Sequence, residues 1–140
     1  MTRILLVGAG GFVGSVLRYA LSSWVQQSAR GSLFPYGTGS LFPYGTGSLF
    51  PYGTLAVNVL GCLAIGVLVQ LAETRSAIDA EVRLLLATGL LGGFTTFSAF
   101  GNETLDLLRE DARSLAAANV LANVLLGLAA VHLGRLLASR

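Results

Sequence analysis

The sequence predicts an all-α integral membrane protein: four transmembrane helices, the third broken at mid-membrane. Three observations carry this. Of 140 residues 54% are hydrophobic and only 11% charged, with a mean hydropathy of +0.72, whereas soluble domains carry about a quarter charged residues. The apolar residues gather into four runs long enough, or nearly so, to cross a ~30 Å hydrocarbon core, which takes about 20 helical residues. In the third run Gly92-Gly93-Phe94-Thr95-Thr96-Phe97-Ser98-Ala99-Phe100 places two glycines, three hydroxyls and three rings. A break at that depth must line protein or a water-filled cavity, because lipid offers no partner to freed backbone groups. Ion sites are built at such broken helices.

The first span runs from Ile4 to Trp24 and is interrupted only by Arg18. Its basic start and apolar run resemble a signal peptide, but no A-x-A-like cleavage site follows, so it reads as a retained span. Gly8, Gly11 and Gly14 imitate the glycine-rich opening of a dinucleotide-binding unit. That unit needs an acidic residue about 20 positions on, and the first acid in the chain is Glu73. Gly10 and Gly14 instead have the G-x-x-x-G spacing that lets membrane helices approach closely. Arg18 has two open readings: it snorkels to the interface, or it forms an anion-attracting vestibule.

The link to the second span holds Gly-Ser-Leu-Phe-Pro-Tyr-Gly-Thr three times in tandem, at 31–38, 39–46 and 47–54. Eight residues with a proline and two glycines are too short for a solenoid module. The unit reads as an aromatic collar at the membrane interface or as a duplicated loop of a kind that surfaces tolerate. Only the last copy leads into a helix, with Pro51 near its first turn.

The second span runs from about Gly53 to Leu71 and holds one strongly polar group, Asn58. Its amide is either interhelical glue or an NH₂ donor to a passing anion. Cys62, the single cysteine, has no disulfide partner in the chain and reads as a small core residue. The third span begins near Val82, breaks at Gly92 to Thr96 and resumes from Phe97 to Leu108. Phe97 and Phe100 are spaced i, i+3 and share a face. The positive edge of a phenyl ring stabilises an anion without a full charge that would trap it. Glu103 and Asp106 are placed to cap the helix or pair with Arg109. The fourth span, Leu115 to Leu137, carries Asn119 and Asn123 at i, i+4, which with Asn58 gives a line of donors. His132 reads as interfacial. No nucleophile–base arrangement and no metal-ligand cluster appears, so the chain is not read as an enzyme.

Nine arginines and no lysine give a formal charge of +2, too small and too scattered for nucleic-acid binding. With four spans, Arg3, Arg75, Arg83, Arg135 and Arg140 share one side, and Arg30, Arg109 and Arg113 the other. So weak a positive-inside bias is compatible with insertion in both orientations. A bare anion in hydrocarbon costs tens of kcal/mol, so several modest donors must replace its water. Four helices leave little room for a pore, and at least a dimer is expected.

Gly92 to Phe100 followed by Glu103-Thr104 closely resembles the signature of the Fluc (CrcB) fluoride channels. Tyr52 to Gly61 resembles that family's second-helix motif, and Arg18-Tyr19 its first-helix motif. The resemblance covers all four spans. It implies an antiparallel, dual-topology homodimer in the cell's inner (plasma) membrane, with two pores passing fluoride out of the cytoplasm. It implies that Asn58, Phe97 and Phe100 line the fluoride path, with Thr96 and Ser98 in its polar track. Asn119 and Asn123 fall where the family carries polar residues on its fourth helix. Gly92 and Thr95 correspond to the break positions whose carbonyls hold one structural Na⁺ between the subunits. Ala99 stands where Thr is commoner, and the triple repeat is a second departure, outside the motifs. The rival class is the small proton-coupled multidrug exporters, also of four spans. Those resemble antiporters with an embedded Glu in the first helix, where this chain has only Arg18.

Overall fold

The computed structural model describes residues 1–30, 50–74 and 78–139; the side chain of Arg30 also lies outside the description. Four helices in it are long and apolar enough to cross a membrane: Thr2–Ala29, Tyr52–Thr74, Ala80–Arg109 and Arg113–Ala138. Each extends a few residues beyond its expected bounds. Helix α1 (Thr2–Arg30) has 29 residues, which at 1.5 Å each is about 43 Å. Its last turns are polar, with Gln26, Gln27 and Ser28. Helix α2 is Tyr52–Thr74. The third span starts at Asp79, whose carboxylate accepts the amides of Glu81 (3.0 Å) and Val82 (2.8 Å) as an N-cap. It then runs as α3 (Ala80–Arg83), a π-helical segment (Leu84–Leu91), the short α4 (Gly92–Phe94) and α5 (Phe97–Arg109). Helix α6 is Arg113–Ala138. Before it, Asp111 takes φ 57°, a conformation Asp tolerates better than most side chains.

The departure from helix in the third span is narrower than the expected Gly92–Thr96. Gly92–Phe94 stay helical, and only Thr95 (φ −81°, ψ 159°) and Thr96 (φ −150°, ψ 114°) are extended. Two consecutive β-branched residues suit that backbone. Of the two glycines, Gly93 serves packing instead, while Gly92 is exposed. A Cβ on Gly93 would stand 2.5 Å from the Gly11 carbonyl.

Burial is inverted relative to a water-soluble protein. Among the described residues the buried apolar side chains are Val57, Leu68, Ala99, Leu107, Ala116 and Ala130. Phe12, Leu121, Leu125 and Leu128 are exposed, while Ser22, Gln26, Thr54, Thr96 and Asn119 are buried. With so few large side chains inside, the helices meet backbone to backbone. Helix α1 lies on the π segment and α4, and α2 packs most extensively on α6. A Cβ on Gly10 would come within 2.6 Å of the Leu85 carbonyl, and one on Gly14 would overlap that of Leu90. The expected G-x-x-x-G approach is therefore the seam between α1 and the third span. Gly66 and Gly134 meet backbone in the same way across α2 and α6.

Candidate functional site

The break at Thr95–Thr96 is closed by a side chain from another helix. Asn58 on α2 accepts the Thr96 N–H at Oδ1 (3.0 Å) and donates from Nδ2 to the Thr96 carbonyl (3.2 Å). Its amide thus does for Thr96 what a neighbouring strand would do. The Thr96 N–H has turned away from the Gly92 carbonyl, its partner in an uninterrupted helix. Thr95 keeps both its N–H and its hydroxyl on the Leu91 carbonyl, each at 3.0 Å. The Thr96 hydroxyl caps α5 by accepting the Ala99 N–H (3.2 Å) and lies 3.3 Å from the Ser98 hydroxyl.

From Asn58 the bonding continues into α6. The second Nδ2 hydrogen goes to Asn123 Oδ1 (3.0 Å), and Asn123 Nδ2 donates to the Asn119 carbonyl and Oδ1, both at 3.0 Å. Asn119 Nδ2 donates to the Thr104 hydroxyl (2.9 Å), which donates to the Phe100 carbonyl (2.7 Å). Asn58, Asn123 and Asn119 thus form a chain of neutral hydrogen bonds across α2, α5 and α6. Both hydrogens of the Asn58 NH₂ are engaged.

A cavity of about 410 Å³ opens beside this chain, lined in part by Asn58, Thr95, Thr96, Phe97, Phe100 and Asn123. Gly92 and Cys62 also line it, so Cys62, half-buried, is a wall residue rather than core. The Phe97 and Phe100 rings lie 5.4 Å apart at 54°, and Phe97 is 83% exposed in the single chain. The structure thus brings together seven of the ten candidate residues: Asn58, Gly92, Thr95, Thr96, Phe97, Phe100 and Asn123. Ser98 is exposed and touches the group through Thr96. Asn119 is fully buried behind Asn123. Arg18 is half-buried on α1 and outside this lining.

Glu103 departs from expectation. Asp106, not Glu103, pairs with Arg109, at 3.6 Å. Glu103 Oε1 accepts from the Thr54 hydroxyl (2.7 Å), and its buried Oε2 has no partner among the described residues. Position explains the difference: Asp106 stands one turn before Arg109 at the helix end, while Glu103 faces Thr54 on α2. Thr54, one turn before Asn58, went unremarked in the sequence. Its place at i−4 from Asn58, on the same face of α2, was the available signal. Among the described residues no cluster of His, Cys, Asp and Glu is placed to hold a metal.

Comparisons with known proteins follow the whole chain. The model of the family described as CrcB-like protein, Camphor Resistance (CrcB), matches residues 5–135. A protein of Shewanella frigidimarina named fluoride-specific ion channel FluC is 44% identical over 135 residues, covering 96% of this chain and 94% of its own. One of Methanosarcina acetivorans, named fluoride-specific ion channel FluC 1, is 40% identical over 136 residues, covering 97% and 90%. One of Agrobacterium fabrum, again named fluoride-specific ion channel FluC, is 40% identical over 134 residues, covering 96% and 94%.

Proposed function

Because the chain belongs to the CrcB-like family, we propose that this multi-pass membrane protein is a fluoride-selective channel, releasing fluoride passively from the cytoplasm across the inner (plasma) membrane. The observation that carries the proposal is the Phe97–Phe100 pair beside the Asn58–Asn123 amides in one cavity. Ring edges and amide hydrogens are both partial positive charges. An anion entering the cavity takes over an Asn58 or Asn123 hydrogen that a neutral acceptor already holds. It gains a charge-assisted bond and releases a weaker neutral one. The exchange leaves a shallow well, which suits conduction, since binding must also permit exit. Thr96 and Ser98 extend the polar side of this path, and Asn119 holds Asn123 from behind. Arg18 supplies the positive approach.

The break divides the Ala80–Arg109 span into two stretches of similar length, which supports a mid-membrane depth. A second copy in antiparallel orientation is part of the proposal. It would cover the exposed Phe97 and complete the open cavity, giving two pores. The proposed Na⁺ would be held by the carbonyls of Gly92 and Thr95. Thr96 has withdrawn the helical donor of the first, and the extended backbone turns the second out of the helix ladder. Bare carbonyls are the oxygen ligands that a hard cation takes. With only two from one chain, a seat shared between copies fits the donor set.

The test is purified protein in liposomes loaded with fluoride or chloride. Rapid fluoride release with hardly any chloride release is expected. Equal rates for the two anions, or proton-coupled efflux of a cationic dye, would overturn the channel reading.

A further inference from the structure

The fluoride path leaves unused two buried polar side chains on α1, Ser22 and Gln26, each 2% exposed. They lie one turn apart, against the start of α2. At Ser22 the contact is backbone to backbone: a Cβ on Gly53 would stand 2.5 Å from the Ser22 carbonyl. At Gln26 it is a side-chain clamp. Oε1 accepts the Gly53 N–H (3.0 Å) and Nε2 donates to the Phe50 carbonyl (3.2 Å).

The need for this clamp follows from helix geometry. The first amides of a helix have no intrahelical acceptor, and a side chain at the preceding residue usually supplies one. The residue before α2 is Pro51, which has no such acceptor. Gly53 is buried, so water does not readily serve it. Gln26 of the neighbouring helix fills the role, and it engages Phe50 on the other side of the proline. The residue after Gly53 is Thr54, bonded to Glu103. One turn on is Asn58, whose amide must meet Thr96 within hydrogen-bond reach.

We infer that Gln26 is a positioning residue for the ion path: as a helix cap supplied from α1, it sets the height of α2 and thereby the register of Asn58 against the break. The inference rests on the proposed role of Asn58 in that path. Gln26→Met keeps the packing and removes both hydrogen bonds. Gln26→Glu keeps the acceptor for Gly53. In the whole protein in liposomes, Gln26→Met is expected to speed amide exchange at Gly53 roughly tenfold, the scale of a lost buried hydrogen bond. It is expected to slow fluoride release several-fold; Gln26→Glu, which keeps the acceptor for Gly53 but sets an oxygen against the Phe50 carbonyl, is expected to restore slow exchange at Gly53 and only part of the flux. Combined with Asn58→Ala, Gln26→Met is expected to add no further loss, since residues acting through one another are not additive. Unchanged exchange at Gly53 would overturn the cap. Losses that multiply in the double variant would overturn action through Asn58. If the unaltered protein passes no fluoride, the functional reading fails on its own, while exchange at Gly53 still decides whether Gln26 is the cap.

Discussion

Replacing Asn58 by Asp changes one NH₂ to an oxygen and almost nothing in shape, so its effect isolates the hydrogen bonds. Oδ1 can still accept the Thr96 N–H. The new oxygen faces the Thr96 carbonyl and Asn123 Oδ1, both acceptors. Each abandoned acceptor costs about 1–3 kcal/mol. Because Asn58 is only half-buried, the pair is worth about 2–4 kcal/mol. At 1.4 kcal/mol per decade that weakens closure of the break about 30- to 700-fold. A carboxyl that takes up a proton repairs one of the two contacts and brings the loss to the lower end. The assay is hydrogen exchange at the Thr96 amide, read beside fluoride release from liposomes. Asn58→Leu, which also abandons the Thr96 N–H, should lie beyond Asn58→Asp on the exchange scale. Unchanged exchange and flux in Asn58→Asp would refute the reasoning. An order with Asp worse than Leu would show that charge, not lost pairing, sets the effect.

Two further outcomes are expected. Gly14→Ala drives a methyl into the Leu90 carbonyl and should destabilise by about 1–3 kcal/mol or more, while Gly8→Ala, with nothing within 4 Å, should not. Equal melting temperatures for the two would show that the seam does not carry the packing. Deleting residues 31–46 leaves one repeat copy and 124 of 140 residues. It shortens the separation of Gln26 from the Phe50 position from 24 residues to eight, which lowers the closure cost by about 1 kcal/mol. The shortened protein should therefore fold and pass fluoride at least as well, and loss of folding would show that the extra copies are needed.

The four helices were legible because hydropathy over 20 residues is a strong, local signal. The break was legible only in part. Glycines drew attention to Gly92 and Gly93, yet both are helical, while the extended backbone falls on Thr95 and Thr96. The i, i+3 spacing of Phe97 and Phe100 carried their contact directly into the structure, since helical geometry fixes it. The pairings of Asn58 with Thr96, Thr54 with Glu103 and Gln26 with Gly53 join residues 27 to 49 positions apart. No periodicity encodes such pairs; they exist only after the helices have packed. The π segment at Leu84–Leu91 had no sequence signal at all, since its run of leucines suits an α-helix equally well. The first-loop repeat, apart from Phe50–Thr54, lies outside the described residues, as do Arg75 and Arg140 of the charge-bias argument.

The suture at Thr96 also bears on how the protein is made. While the third span enters the bilayer and α2 has not yet docked, Thr96 has no Asn58 to turn to. Hydrocarbon leaves it only the helical partners of its own segment. At the proposed mid-membrane depth, the span is therefore expected to insert as one continuous helix. Its interruption would appear later, when lateral association delivers the amide that replaces the lost rung. On that reading the kink is a product of assembly, and a chain lacking that amide would insert normally and differ only in how firmly the break is held.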